Sequence, residues 1–530
     1  MGVFLVGLAY VFKDFSCWTS THGIPHIGNA NAKALRLFWI LVVFICTAAF
    51  IWQFVTLMQA YFAYRVNTET KLQFAERVFP MVTICHLNPW RADTVGGIDA
   101  DMKKLMDAYV DASGNYPAES NYNFPNGLTG SRQSQAMAWM LLYAERLKSE
   151  HAEDPQIAYS YDDLVISCTY NADTCNITDF DEYYNPSYGI CQQFNVKGDY
   201  LSSRAGPLYG LRMVIKTNQS TYLPWIESSG VILSINSQGE MPFPDVMGYF
   251  APPGTASSLG VRYVSTSRMS KPYGDCTLET ELMTTQYSGI YSMEACFRSC
   301  LQDKIIAQCG CYDPAYSHAE NDTSTPSCDG YGTPLNNLNC IDSINNADSS
   351  DFNLLTECDC PQPCDTNTYG VTVSTAQWPS NAYTPTECNQ KPYDSKPWSD
   401  IPGCLDWYKE NTLLFEVYYE RMNYQVLTES PAYSVVNLVS DIGGQVGLFL
   451  GMSIISLLEF FALFLLLLCY CTTHKQRKVE LEQLHNDIKK AKQNADKVEA
   501  KRKKREMQNR ELYDGNDTTD PVPPPVAQSN

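Results

Sequence analysis

The chain has 530 residues, 20 cysteines and a net charge of −20, with 18% charged and 12% aromatic residues. That length holds about two to four domains, and a mean hydropathy of −0.25 excludes a bundle of many membrane spans. The acidity excludes a nucleic-acid binder, which needs a cationic surface to displace counterions. Twenty cysteines outside the cell staple a scaffold, and a simple cytosolic enzyme does not fit them.

The charge is uneven. Residues 1–36 carry +2, 472–510 carry +7 and 511–530 carry −4, so the total of −20 leaves −25 on residues 37–471. Residues 1–12 are apolar but lack the basic start of a signal peptide, and a full span follows. Gly2 invites myristoylation, but Val6 stands where that motif wants Ser or Thr. A short helix against the inner membrane face fits better.

Residues 37–64 carry no charge and residues 37–58 are almost wholly apolar, enough for the roughly 20 residues that cross a hydrocarbon core. A second apolar run, 442–473, is interrupted by Glu459 alone. As one helix it would reach roughly 48 Å against a core of about 30 Å, so it is expected to tilt, break or continue outside the membrane. Lys33 and Arg36 precede the first span, and Lys475, Arg477 and Lys478 follow the second. The positive-inside rule then puts both termini in the cytosol. The expected division is a cytosolic 1–36, a span 37–64, an external domain 65–436, a span 437–471 and a cytosolic 472–530.

Sixteen cysteines, Cys85 to Cys404, fall in the external part, while Cys17, Cys46, Cys469 and Cys471 do not. An even count permits eight disulfides. By spacing alone Cys309-Gly310-Cys311 and Cys358-Asp359-Cys360 fit metal knuckles, but an oxidising compartment favours bridges and no bound metal. Sequons at Asn176, Asn218 and Asn321 are expected to be glycosylated, and the one at Asn516 to stay bare.

Within the external part, residues 211–216, 230–235 and 260–265 read as strands. Residues 101–111, 134–148, 279–308 and 411–422 read as helices, and 312–355 and 380–403 as loops. Residues 481–498 place Leu481, Leu484, Ile488, Ala491, Ala495 and Val498 on a short heptad seam, against the alternative of a solvated, frayed helix. The block 501–505 reads as a lipid-headgroup patch, and 523–525 lie in a proline-bearing disordered tail.

Gly443, Gly447 and Gly451 recur every four residues, which suits close helix packing in lipid. Glycines also let a helix break, and unwound backbone at membrane depth is tolerated only against protein or water. Gly451, Met452 and Ser453 then serve as an ion-coordinating constriction. Glu459 is the sole carboxylate of the span, and such a group faces an interior or an aqueous path. No nucleophile elbow, phosphate loop or HExxH motif is present, so an enzyme is not expected.

In order, the chain shows Ser20-Thr21-His22-Gly23, then Phe79-Pro80-Met81-Val82-Thr83-Ile84-Cys85, then Tyr188-Gly189-Ile190-Cys191. Pro272-Tyr273-Gly274-Asp275-Cys276 follows, then Cys296, Cys300, Cys309 and Cys311, and Cys358, Cys360 and Cys364. The stretch from Asp441 to Ser453 closes the series. From Ser20 to about residue 462 this resembles the degenerin/epithelial sodium channel superfamily. The resemblance implies an α+β membrane protein: trimeric, with two transmembrane helices and a disulfide-rich extracellular "clenched hand". It implies bridges Cys85–Cys191, Cys168–Cys175, Cys276–Cys364, Cys296–Cys360, Cys300–Cys358, Cys309–Cys340 and Cys311–Cys328, leaving Cys388–Cys404 for an eighth.

The same resemblance makes His22-Gly23 a re-entrant loop under the pore and Gly451, Met452 and Ser453 the filter. Met452 replaces the usual small or branched residue there. Ser440, beside Asp441, falls where bulky side chains hold such channels open. It implies a sodium channel of the plasma membrane, blocked by amiloride, needing no cofactor and contacting membrane lipids. Pro242-Phe243-Pro244, the 251–260 stretch and Pro431-Ala432-Tyr433 look most like the invertebrate peptide-gated branch. An external FMRFamide-like amidated neuropeptide is then the expected ligand, near residues 100–158, and a cationic aromatic peptide suits an acidic, tyrosine-rich domain. The alternative is a proton-gated or constitutively open relative. Arg65 stands where the acid-sensing branch has a histidine, which weakens proton gating, although clustered carboxylates also share protons. ATP-gated trimers share the topology but need a basic cluster that is not evident here.

Overall fold

The computed structural model describes residues 2–112, 122, 124, 129–278, 286–319, 322–345, 352–394 and 396–513. The chain divides into two compact units, Tyr64–Ala432 and the paired segments Met1–Ala63 and Tyr433–Asn530. The sequons at Asn321 and Asn516 and the tail at 523–525 lie outside the described residues, as do parts of the 100–158 and 279–308 regions.

The large unit is built on an eight-stranded sheet and a five-stranded sheet. In the first, Val66–Phe74 pairs antiparallel with Asn423–Pro431 along nine residues, from Val66 opposite Pro431 to Phe74 opposite Asn423. Thr255–Ser267 lies parallel to both Asn423–Pro431 and Thr412–Tyr419, and carries Asp365–Gln377 antiparallel along its whole length. Leu211–Lys216 and Val165–Tyr170 extend the sheet beyond Thr412–Tyr419. The second sheet runs Gly248–Ala251, Val231–Asn236, Met81–His86, Gly189–Phe194, Phe180–Asn185. Phe79, Ile84, Phe194, Met213, Leu233 and Phe415 fill the core between strands, each such side chain worth about 1.5–3 kcal/mol when fully buried.

Helices make a second core around Trp90, Met102, Leu105, Met140, Leu147 and Trp225. Ala100–Ala112, Thr129–Leu142 and Ala144–Glu153 supply part of it, and Ile305, Leu338, Ile341 and Ile344 join from later helices. A third, small core packs Trp398 and Tyr408 around Cys388–Cys404. All sixteen cysteines of this unit are bridged: Cys85–Cys191, Cys168–Cys175, Cys276–Cys364, Cys296–Cys360, Cys300–Cys358, Cys309–Cys340, Cys311–Cys328 and Cys388–Cys404. These are the pairs the resemblance implies, and they leave no thiolate for a metal knuckle.

Three expectations from the sequence need correction. Residues 411–422 do not form a helix: Thr412–Tyr419 is a strand inside the large sheet. With both faces covered, its alternation of apolar and polar side chains disappears. The loop expected over 312–355 contains a helix, Pro334–Asn345, which buries Leu338, Ile341 and Ile344. Among the described residues of 279–308, that is 286–308, the helix begins at Met293, where the Ser292 hydroxyl accepts from the Ala295 N–H at 3.2 Å; an N-cap of this kind fixes a start that periodicity leaves open.

The helical unit consists of Gly2–Trp18, Ile24–Asn29, Lys33–Phe62, Val435–Leu450 and Ile454–Tyr513. Lys33–Phe62 and Ile454–Thr473 are long and apolar enough to cross a membrane. Their apolar side chains face outward, with Trp52 72% and Leu466 52% exposed. Val435–Leu450 packs along Lys33–Phe62. The second apolar segment is broken at residues 451–453 and then continues as helix far past the apolar residues, so breaking and continuing both occur.

Candidate ion pathway

The break begins with Gly451. Its backbone is left-handed, φ 60° and ψ 27°, a conformation that costs other L-residues roughly 1–2 kcal/mol. The Gly451 N–H donates to the Gly447 carbonyl at 3.0 Å and the Met452 N–H to Val446 at 3.4 Å, closing the helix end. Met452 carries on without helical structure. Ser453 opens the next helix, its carbonyl accepting from the Leu457 N–H at 3.2 Å and its N–H donating to Ser456 Oγ at 3.1 Å.

A helix end leaves carbonyls without intrahelical partners, and in lipid they need other donors. The loop after Gly2–Trp18 supplies one: the His22 N–H donates to the Leu450 carbonyl at 3.2 Å. A Cβ on Gly451 would collide with the His22 ring. Gly23 is left-handed, φ 84°, and a Cβ there would run into Val43. The following turn is fixed by His26, whose ring stacks on Trp39 with centroids 4.3 Å apart.

Six residues past Ser453, just under two helical turns, the same loop meets Glu459. Its Oε2 accepts from the Ser20 N–H at 2.7 Å, Thr19 Oγ1 at 2.9 Å and Ser20 Oγ at 3.1 Å. Ser20 Oγ also lies 2.6 Å from Ser456 Oγ, and Thr19, Thr21 and Ser456 are buried. Phe15 seats against Phe460 with centroids 5.3 Å apart. The loop, the break and the carboxylate therefore form one hydrogen-bonded assembly. Charge-assisted bonds of this sort are shorter and stronger than neutral ones.

On the preceding helix, Ser440 and Asp441 are exposed, and the Tyr433 hydroxyl donates to Asp441 Oδ2 at 2.5 Å. A Cβ added at Gly443, Gly444 or Gly447 would meet nothing within 4 Å, so the glycine face is not used for packing within this chain. Sequence reasoning singled out His22, Gly23, Ser20, Gly451, Ser453 and Glu459, and the structure brings them together. It missed Thr19 and Ser456. Ser456 carries a faint signal, three residues after Ser453 at a capping spacing; Thr19 carries none.

The large unit holds a second constellation. Arg146 donates from Nε to Asp99 at 2.6 Å and from Nη1 to Asp329 at 2.7 Å, with Asp101 at 3.7 Å. Asp99 also caps the Ala100–Ala112 helix, accepting from the Met102 N–H at 2.7 Å and the Asp101 N–H at 2.8 Å. Burial pushes the Asp99 carboxyl up, but the Arg146 and backbone donors outweigh it and hold it below its ordinary range. Glu150, one turn after Arg146, has no such donors. Burial, then the charge of Asp99, push it up to about 7. Burial also raises Asp329. Sequence reasoning missed this cluster, whose acidic partners at 99, 101 and 329 share no local pattern with Arg146. Of the sequons, Asn176 is exposed and Asn218 is half-buried in a left-handed backbone.

A broken apolar helix pinned by a short loop, in one chain with a disulfide-rich α+β unit, is the make-up of a two-span channel subunit. The profile described as amiloride-sensitive sodium channel matches residues 15–463, and the chain belongs to that family, the degenerin and epithelial sodium channel group. Its members are sodium channels, not enzymes, and work without a cofactor. The chain is 32% identical over 520 residues to the Degenerin-like protein asic-2 of Caenorhabditis elegans, covering 93% of this chain and 94% of that protein. It is 40% identical over 309 residues to Degenerin del-1 of the same organism, covering 57% of this chain and 44% of the relative. With Degenerin unc-8, also of that organism, the identity is 35% over 312 residues, 58% of this chain and 39% of the relative. For the last two, the chain spans less than half the relative's length.

Proposed function

We propose that this chain is the pore-forming subunit of a homotrimeric plasma-membrane sodium channel, opened from outside by an FMRFamide-like amidated neuropeptide and blocked by amiloride. The observation that carries the pore assignment is the pinned break at residues 451–453. Backbone freed from a helix at membrane depth is stable only where it faces protein or water, and the single-chain structure covers one side of it. Gly451, Met452 and Ser453 act as the filter. Glu459 is the pore carboxylate, His22 and Gly23 belong to the re-entrant loop, and Ser440 and Asp441 stand at the gate. The open glycine face of Val435–Leu450 suits contact with other subunits.

In this reading residues 1–36 and 472–530 are cytosolic, 37–64 and 437–471 span the membrane, and 65–436 form the external clenched hand, glycosylated at Asn176, Asn218 and Asn321. Val66–Phe74 and Asn423–Pro431, the strands that continue in sequence into the two spans, are paired along nine residues. A ligand that favours a different arrangement of the external sheet thereby acts on both connections at once. The peptide assignment is supported by the 242–260 and 431–433 stretches and by the acidic, tyrosine-rich composition.

A second reading, proton gating, is favoured by Glu150, whose carboxyl titrates near about 7 within the cluster on Arg146. Voltage-clamp recording from oocytes expressing the chain alone separates the two. Peptide-evoked, amiloride-blocked sodium current at neutral pH supports the first. Current evoked by acid while a panel of amidated peptides is silent overturns peptide gating and supports the second. Current that flows with neither stimulus establishes a constitutively open channel. If all stimuli are silent despite surface delivery, Ser440→Cys carrying a bulky thiol reagent is expected to conduct; a silent modified variant overturns the pore assignment.

A further inference from the structure

The second span does not end where its apolar residues end. One helix runs from Ile454 to Tyr513, of which only Ile454–Thr473 is apolar enough for the membrane. The remaining forty residues extend about 60 Å at 1.5 Å per residue. Side chains from 486 to 506 are exposed throughout. Large apolar groups that water does not favour stand exposed on this helix: Leu484, Ile488 and Val498 are 57%, 59% and 67% exposed. With Leu481, Ala491 and Ala495 they recur at alternating steps of three and four, the a and d positions of successive heptads. A solitary helix gains nothing from such a stripe.

We propose that residues 481–498 form a parallel, in-register coiled coil with the same segment of other copies of this chain. Two features select that occupant. Every copy enters the membrane in the same orientation and at the same depth, so the helices leaving the second spans meet parallel and in register. In that register one flanking charge pair is complementary, Asp487 at a g position opposite Lys492 at the following e position of the neighbour, and the next pair sets the neutral amide of Asn494 opposite Glu499. No like charges face each other between 487 and 499. The seam stops at Arg502 and Arg505, which hold the next a and d positions. Arg502 and Lys503 instead pair within their own helix, with Glu506 at 3.5 Å and Glu499 at 3.5 Å. The two alanines let the helices approach closely while burying little area, which suits a contact that holds the second spans together and still lets them move.

The test is disulfide trapping in the full-length chain in membranes. Cys17, Cys46, Cys469 and Cys471, which are all unbridged, are replaced by serine. Single cysteines are then placed on the seam (Leu484→Cys, Ile488→Cys) and off it (Lys489→Cys, Gln493→Cys). Mild oxidation is expected to yield roughly fivefold more cross-linked species at 484 and 488 than at 489 and 493, because only a and d side chains face their counterparts. Equal cross-linking at all four positions shows random collision and overturns the proposal. So does its absence at 484 and 488 when a maleimide labels those thiols. In the Ile488→Cys chain, Asp487→Lys is expected to reduce cross-linking about twofold and a further Lys492→Asp to restore it; failure of that rescue overturns the parallel register. The proposal rests on assembly of identical copies and not on the gate. An undiminished channel current without cross-linking sinks the coiled coil alone, whereas cross-linking with the thiol-modified Ser440→Cys variant silent leaves it standing and sinks the channel reading.

Discussion

The two units of this chain hold themselves together by opposite means. Tyr64–Ala432 is internally complete: eight bridges, two large cores and long strand ladders tie it together. In the helical unit no bridge occurs among the described residues, its four cysteines are free, and its largest side chains point outward. Its defining contact is a short loop hydrogen-bonded to a broken helix. One unit is stabilised covalently within the chain, and the other leaves its apolar side chains uncovered by the chain itself. In the proposed channel that contrast has a use: a rigid ligand-receiving unit transmits a signal only if the apolar helices are free to rearrange.

The hardest way to break that contrast is to remove a long-range bridge. Cys85–Cys191 joins residues 106 apart, and losing such a closure costs about 4–5 kcal/mol in the chain-entropy account, much of a domain's total stability of about 5–15 kcal/mol. Cys85→Ser is expected to cut surface delivery about tenfold or more, measured by surface biotinylation, while Cys469→Ser and Cys471→Ser leave it unchanged. A loss of the same size from the latter pair would erase the distinction.

Next in size is Gly451→Ala. The left-handed backbone costs roughly 1–2 kcal/mol for alanine, and the new methyl collides with the His22 ring. Current is expected to fall below detection with surface delivery intact. Adding His22→Ala relieves the collision but not the backbone strain, so partial recovery is expected.

Glu459→Gln should act more gently. It leaves an acceptor for Thr19 and Ser20 but removes the charge that strengthens those bonds. A reduced unitary conductance with normal delivery is expected, and Ser20→Ala is expected to produce a smaller change in the same direction. If Ser20→Ala matters more than Glu459→Gln, the carboxylate is not the centre of the assembly.

The smallest effect tests whether the large unit senses protons. Glu150 is raised in the folded state to about 7 from an ordinary 4.5. Its stabilising contribution is therefore fully present below about 4.5 and is lost as pH rises through about 7. Asp99 is lowered, so its contribution is present above the ordinary carboxylate range and disappears only as pH falls below it. Asp313, raised to about 6 by burial, acts in the same direction, while buried His86, lowered to about 4, acts in the opposite one. The comparison is therefore between chains: on going from about pH 8 to about pH 5, the Tm of the parent chain is expected to rise relative to that of Glu150→Gln, and a constant difference shows that Glu150 does not titrate in that window.

Much of the architecture was legible in the sequence because it is written locally. The first span shows as a charge-free run, the strand at Leu211–Lys216 as an alternating one, and the helix at Ala100–Ala112 as a periodic one. The resemblance, not the spacing, gave the bridge partners. Where neighbours cover both faces, local periodicity misled: Leu413, Leu414 and Val417 look helical in sequence, yet Thr412–Tyr419 is an interior strand. Pro334–Asn345 was hidden by three asparagines at 336, 337 and 339, and it is held as a helix by the burial of Leu338 and Ile341 and by the Cys309–Cys340 bridge.

By itself the sequence determined that the chain has two membrane-length apolar segments, that the second is longer than a straight crossing needs, and that it carries four glycines. These follow from composition and length, which no partner can alter. Only the tertiary structure decided that Thr19, Ser20 and His22 meet Leu450, Ser456 and Glu459 across more than four hundred residues of chain. Hydrogen-bond donors and acceptors that far apart leave no period in the sequence, and which of them pair is fixed by the fold that brings them within reach.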